Sequence, residues 1–444
     1  MRTLILLACT TMLAACGGAG PQSAGGSAPP TGGGTTGGTG NGSGDSHTFV
    51  NPTEPKTYKA VGGSHSYEYA VDDFGDVLRD TNGNPVLDTN GDTIATQRSR
   101  GMTSQGAQLY QGDATTVRNT NLTIAYNPRD AIFDVSFSNG LAGTGTQSRF
   151  QDPVHRTDFG GAVEPQFGTP NLASAAWNIP GINYLESGSG ENLVISRPVV
   201  GGEDQFQFDL ANGAIAGSYD STTFFYQTPG TETQYVTFAG YLRNQASVAK
   251  VEIQNPDGST TDYIRQTNDI ERGAFAFGEI TLNDQVPTTG TGSFVGSTLA
   301  SMVFNDQPDV NGNFDTYFQW IAGRATTDVN FGANTFSLSL NGVVGAPMFD
   351  GTSGQHSILE NAQFRANGAG QIDLVQAGGF FGQFNEAWFV NPGGARLDLV
   401  IAGSSIDGAF YGPNGQEVGG GYRIVGGTPD ERIDILGTFV GIKN

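Results

Sequence analysis

Cys16 is the residue whose setting points most directly to chemistry. It closes Leu13-Ala14-Ala15-Cys16, at the end of an apolar run that begins at Leu4 and follows the short positive segment Met1-Arg2-Thr3. That run is too short to span a bilayer, and the small residues before the cysteine give a signal peptidase access to the backbone. A thiol at such a cut can carry diacylglycerol through a thioether, and the amine freed by cleavage offers a second acylation point. Two acyl chains hold a protein on a membrane stably, where one binds only marginally. The pattern therefore predicts a lipoprotein signal over residues 1–15 and lipidation of Cys16. The alternative is an ordinary secretory signal with an incidental cysteine.

Other groups with chemical potential are scattered. His47, His65, His155 and His356 lie far apart, and none has a second ligand at metal spacing. Zinc needs several N or S ligands converging on one point, so no metal ligand is expected among them. Asp88-x-Asn90-x-Asp92 and Asp309-x-Asn311-x-Asn313-x-Asp315 have calcium-like oxygen spacing. Yet the sixth loop position holds Thr93 or Phe314 rather than Gly, and the twelfth holds Ser99 or Trp320 rather than Glu. Asx-Gly turns explain both segments better. No nucleophile-elbow pattern occurs, and no phosphate loop or dinucleotide fingerprint opens a helix. No catalytic residue and no cofactor is expected. Any two of the 43 Asp and Glu could flank a glycosidic bond once folded, so a lipid-anchored glycan hydrolase stays open as an alternative.

Composition narrows the class. The 444 residues include 67 Gly and 28 Phe, and only 14% are charged. Glycine is about twice its usual share and charge well below it, the profile of an all-β extracytoplasmic protein. Cys9 leaves with the signal and Cys16 is taken by lipid, so the mature body folds without disulfides. A net charge of −22 excludes nucleic acid as a partner, because binding it requires clustered Lys and Arg.

The elements that must carry these features follow in order. Residues 16–46 hold the lipidated cysteine and a Gly/Ser/Pro-rich tether without large apolar residues, which cannot form a core. A flexible chain of about 30 residues spans about 30 Å on average. Residues 47–285 form a β-rich domain of short strands, among them Leu122–Tyr126, Ala131–Phe137, Gln205–Phe208 and Gln234–Tyr241, with a glycine-rich loop over Ser187–Glu191. A single helical turn is expected near Ala173–Trp177. Residues 286–444 form a second domain with clearer two-residue alternation, as in Phe336-Ser-Leu338-Ser-Leu340 after the turn Gly332-Ala-Asn334. Further strands are expected over Thr291–Leu299, Thr327–Phe331, Ile358–Phe364, Phe380–Val390, Leu397–Ala402, Ile406–Tyr411, Val418–Val425 and Ile433–Val440. Sequential antiparallel strands with one apolar face favour an eight-stranded up-and-down barrel filled by its own side chains. A membrane-spanning barrel would show the opposite arrangement of faces.

The run Gly408-Ala-Phe410-Tyr411-Gly412-Pro413, then Glu417-Val-Gly419-Gly420, then Gly437-Thr-Phe439-Val-Gly441, resembles the last barrel strands of the transferrin-binding protein B family. That superfamily includes factor H-binding protein and other bacterial surface lipoproteins. Gly290-Thr-Gly292-Ser-Phe294-Val-Gly296 is similar to the family's first barrel strand, and Phe331-Gly332-Ala333 to the hairpin inside the barrel. The resemblance implies a β-rich handle-like domain followed by an eight-stranded barrel, in a single lobe. The glycines and aromatics of the motif suit tight bends and core packing, and mark the fold rather than a ligand. Together these readings predict an outer-membrane, surface-exposed lipoprotein that binds a protein or small-molecule ligand through loops. By resemblance, its partners would include an outer-membrane receptor or a translocon, and nutrient or metal acquisition would be its setting. A periplasm-facing location and an adhesin or structural envelope protein are the remaining alternatives.

Overall fold

The computed structural model describes residues 50, 52–73, 98–102, 120–127, 132–139, 144–151, 182–191, 193–195, 206–208, 217–254, 258, 260–305, 316–346, 357–375, 378–429 and 431–444. Within them every strand pairing is antiparallel, and the only helical elements are single 3-10 turns such as Asn283–Gln285. The chain is all-β, with an N-terminal β-rich layer followed by a closed eight-stranded barrel.

The first layer is built from β1 (Lys56–Asp73), β2 (Arg98–Met102), β3 (Thr120–Asn127), β4 (Ile132–Asn139), β5 (Thr144–Gln151), β6 (Ile182–Glu191), β7 (Leu193–Ile195), β8 (Phe206–Phe208), β9 (Gly217–Gln227), β10 (Val236–Gln254) and β11 (Thr260–Gly278). Their order across the sheet is β5-β4-β3-β1-β11-β10-β9-β6, with β2 beside β1 and a separate β7–β8 ladder. Both faces of its central strands are covered. Leu122, Ile124, Phe133 and Val135 of β3 and β4 close over Phe224, Tyr226, Tyr241, Phe275 and Phe277 on one face. Phe225, Val236, Phe238, Leu242, Ile270 and Ala276 point the other way, into the barrel wall.

The barrel follows as β12 (Thr291–Asn305), β13 (Thr316–Asn330), β14 (Thr335–Val344), β15 (Gln363–Asp373), β16 (Gly379–Val390), β17 (Arg396–Asp398), β18 (Val400–Tyr411), β19 (Glu417–Gly427) and β20 (Arg432–Lys443). Each strand pairs with the next, β17 and β18 share one place beside β16, and β20 returns to β12. Phe294, Phe336, Phe364, Phe380, Phe384, Phe389, Phe410, Tyr422 and Phe439 belong to the cluster that fills the interior. On β14 the inward Phe336, Leu338 and Leu340 are buried, while Thr335, Ser337, Ser339 and Asn341 are exposed. Apolar in and polar out is the reverse of a membrane-spanning barrel.

Four expectations are corrected at the level of single elements. Ser187–Glu191 is strand rather than loop, because its residues pair with Ser218–Thr222 of β9. Cross-strand pairing outweighs the weak local strand preference of its Gly and Ser. The strand expected over Ile358–Phe364 begins only at Gln363, with Ile358 buried in the turn before it. Leu397–Ala402 and Ile406–Tyr411 divide differently, since β18 already starts at Val400 and Leu399 marks the break. Its N–H goes to Ala387 O at 2.9 Å. The first barrel strand runs on to Asn305 rather than ending at Leu299.

The barrel has two unlike ends. At the near end lie the turns 331–334 and 412–416 with the end of β15 and the start of β16; at the far end lie the ends of β12, β14 and β19, the starts of β13, β15 and β20, and the connection 391–399. β11 runs along the barrel from its far end towards its near end, with Arg272 beside Asp434 and Ala276 near Gly419.

Candidate functional site

The residues of the C-terminal motif meet the first layer and form a joint. Tyr411 faces outward from the barrel and is buried in the shared apolar cluster. Gly412 has φ +73°, a conformation that side chains resist, and a Cβ there would lie 2.4 Å from the ring of Tyr235. Glu417 is buried, and its carboxylate accepts backbone N–H bonds from Gln234 (2.6 Å), Tyr235 (2.7 Å) and Val236 (3.1 Å). Burial raises its pKa, and those three N–H groups oppose the rise. Two residues on, Gly419 abuts Val236 and Ala276. At Gly421 a Cβ would sit 2.4 Å from Gly62 Cα, so two backbones touch there. Thr281 Oγ1 donates to Gly412 O at 2.6 Å, and the Gly412 N–H donates to Glu279 O at 2.9 Å.

Deeper in the joint four polar side chains converge. Arg272 of β11 is fully buried and ion-pairs with Asp434 of β20, and it also donates to Ser301 O at 2.8 Å. Arg423 of β19 binds Asp434 Oδ2 at 2.6 Å. His65 of β1 completes the group, with Nδ1 3.3 Å from Arg272 Nε and Nε2 3.6 Å from Asp434 Oδ2. Burial pushes the His65 pKa down to about 3; Asp434 opposes this, and Arg423 and Arg272 reinforce it. The ring is therefore neutral at physiological pH and acts as an acceptor for Arg272 rather than as an ion-pair partner. Burial would raise the Asp434 carboxyl, but Arg423, His65 and Arg272 outweigh it and hold the group well below the usual carboxylate range. Phe225 and Trp320 meet edge to face across the same boundary at 4.9 Å, and Glu232 of the first layer pairs with Arg324 on the barrel wall.

Chemically, the joint is a fixed structural contact. Its carboxylates are committed to arginines or to backbone N–H groups. Of the four histidines, His65 is placed in this cluster, while His47, His155 and His356 lie outside the described residues. So do Cys16, the expected helical turn near Ala173–Trp177 and the Asp88–Asp92 and Asp309–Asp315 segments. Among the described residues no group of three or more His, Cys, Asp or Glu is placed to hold a metal ion. Sequence reasoning missed Arg272, Arg423 and Asp434. Their signal was available: each is a charge set inside an apolar or glycine-rich strand of a charge-poor chain, as in Ile433-Asp434-Ile435.

No protein-family model matches the sequence, and no curated protein matches it. The chain is similar to solved structures of transferrin binding protein B. One, described as a vaccine antigen, is a double mutant from Haemophilus parasuis Hp5, at 12% identity and a TM-score of 0.26, covering 88% of this chain and 78% of that one. Another is the intact Ap-TbpB with its N and C lobes, at 11% identity and a TM-score of 0.22, covering 88% and 80%. A third is the isotype 1 protein from serogroup B Neisseria meningitidis, at 11% identity and a TM-score of 0.20, covering 88% and 77%. At these scores the likeness carries no weight of its own, and the architecture rests on the strand register.

Proposed function

We propose that this chain is an outer-membrane lipoprotein, anchored by acyl chains on Cys16 and displayed at the cell surface, which binds a protein partner on the outside of a rigid two-layer β scaffold. The observation that carries the reading is the filled barrel. Its interior is occupied by the phenylalanine cluster, as an eight-stranded barrel allows, so a ligand is met at the loops and outer walls. Such surfaces suit a macromolecule better than a small solute, which favours concave apolar sites.

The point where the described body begins supports display. Val50 is buried and its N–H donates to Gln234 O at 2.7 Å, beside the Glu417 contact. A chain anchored through Cys16 would thus enter the body at the near end of the barrel. Export to the surface would involve a translocon, and an outer-membrane receptor is a natural neighbour for the displayed body. Two measurements on intact cells test the proposal. Labelled palmitate should enter the wild type and not Cys16→Ser, and external protease should digest the body without permeabilisation. Unlabelled wild type, or a body protected until the membrane is opened, would overturn it.

A further inference from the structure

The first layer is fastened to the barrel differently at its two ends. At the near end the chain itself crosses over, through residues 279–290 between β11 and β12. Backbone bonds reinforce it there, Thr281 N–H to Phe410 O at 2.8 Å and Gly412 N–H to Glu279 O at 2.9 Å. Towards the far end the fastening is made by side chains, the buried group of His65, Arg272, Arg423 and Asp434. Asp434 stands close to the start of β20. Ile442, the ladder partner of Glu417, lies eight residues further on, about 26 Å along the strand.

We propose that this group is an acid-operated latch: a proton added to His65 releases the first layer from the barrel wall at the far end, with residues 279–290 as the hinge, while the barrel stays closed. The device goes beyond the reading of the chain as a surface lipoprotein and does not depend on it.

The closed geometry has no place for that proton. His65 Nδ1 faces two donors of Arg272, Nε and Nη2, each at 3.3 Å, so it must accept. A proton on Nδ1 would set N–H against N–H. Charge argues the same way. His65 of β1 is faced by Arg272 from β11, Arg423 from β19 and Asp434 from β20. Ser301 of β12 adds only a carbonyl and a hydroxyl, both turned to Arg272. A further acid on that barrel face, the buried Asp407 of β18, is the ladder partner of Gly421, two residues from Arg423. Glu271 of β11 lies on the other face of the sheet, where it takes the Tyr241 hydroxyl at 2.6 Å. Even with Asp407 counted, a protonated ring would be a third cation against two carboxylates, out of water.

Lifting the layer removes the conflict. Burial brings the ring to about 3, and once wet it returns to its ordinary 6.5. Below pH 6.5 the open form then holds one proton more than the closed form. The ratio of open to closed therefore rises about tenfold per pH unit, down to about pH 3. Asp434 contributes little above about pH 4.5, since its ordinary value is 3.8. The wall uncovered is apolar. Trp320 is the ladder partner of Ser301 and Phe318 that of Val303, and Val303, Phe318 and Trp320 are buried in the cluster shared with the first layer. The barrel interior keeps its own separate cluster throughout.

The test uses the full chain with one added thiol, either Val303→Cys under the first layer or Ala366→Cys inside the barrel, and the chain without it as blank. Labelling by a pyridyl disulfide is divided by the rate of an unfolded cysteine peptide at the same pH. Between pH 6 and pH 4.5 the normalised rate at position 303 should rise about twentyfold. It should exceed the rate at position 366 by about tenfold or more. His65→Gln, which can still accept from Arg272 but takes no proton, should make the rate at position 303 independent of pH; His65→Asn serves as a second such variant. The slope is the readout, so a changed baseline stability in a variant does not obscure it. No rise in the wild-type background, a rise that survives both His65 variants, or equal rates at positions 303 and 366 would overturn the proposal, the last by showing that layer and barrel come apart only in global unfolding.

Discussion

His65 shows how much one side chain contributes to the joint through what it does not do. Its folded pKa of about 3 lies below the ordinary 6.5. Between those values the unfolded ring takes up a proton that the folded ring refuses, so the unfolded state binds more protons and stability rises with pH. Acidification below pH 6.5 should thus weaken the fold by up to about 1.4 kcal/mol per pH unit from this group. Asp434 works in a lower window. Its depressed pKa stabilises the fold above the ordinary carboxylate value of 3.8, and that contribution fades as pH falls further. Urea unfolding between about pH 6 and pH 4 should show the slope, and His65→Gln should flatten it. An unchanged slope in the variant would mean that other groups carry the acid sensitivity. From sequence His65 was one of four scattered histidines, because its partners come from strands more than two hundred residues away.

At the scale of elements, legibility followed burial. β14 was readable because one face is wet and one dry, so Phe336, Leu338 and Leu340 stand out against serines. β1 and β11 went unread for the opposite reason. Around Gly273 to Phe277, even positions face the barrel and odd positions face β3 and β4, so no polar face is left to mark the period. The motif from Gly408 to Gly420 was legible as a pattern, and its glycines and aromatics do serve bends and packing. Its place at the joint was not legible, since Tyr235 and Val236 lie about 180 residues from Glu417. Gly412→Ala should cost about 1–3 kcal/mol for its backbone conformation alone, a region of positive φ and extended ψ that is essentially restricted to glycine, and more from the clash with Tyr235. A paired Tyr235→Ala change should return part of that loss, measured as a non-additive melting shift. Strict additivity would show that the ring is not the obstacle.

Viewed whole, the molecule is a stack in which the first layer serves as both a sheet and a cover. Leu299, Val303, Phe318, Trp320, Tyr411 and Val440 are barrel residues on the outer wall, buried only because the first layer lies on them. Residues 286–444 made alone should therefore expose a continuous apolar surface, bind a hydrophobic dye and self-associate. A monodisperse, dye-silent barrel would count against that dependence. The lipid anchor proposed at Cys16 rests on the sequence alone, on the local signature Leu13 to Cys16. The closeness of Arg365 and Trp388 was not legible there, since they become neighbours only through β15–β16 pairing.

The burial of Val50 against Gln234 has a mechanical consequence. With Cys16 acylated as proposed, flow past a cell whose partner is gripped at the far rim would stretch the body between that rim and the anchor. The pull would run lengthwise along the strands, across ladders whose bonds lie perpendicular to it. Fourteen paired residues between β1 and β11 would then share the load in shear instead of parting one after another like a zip.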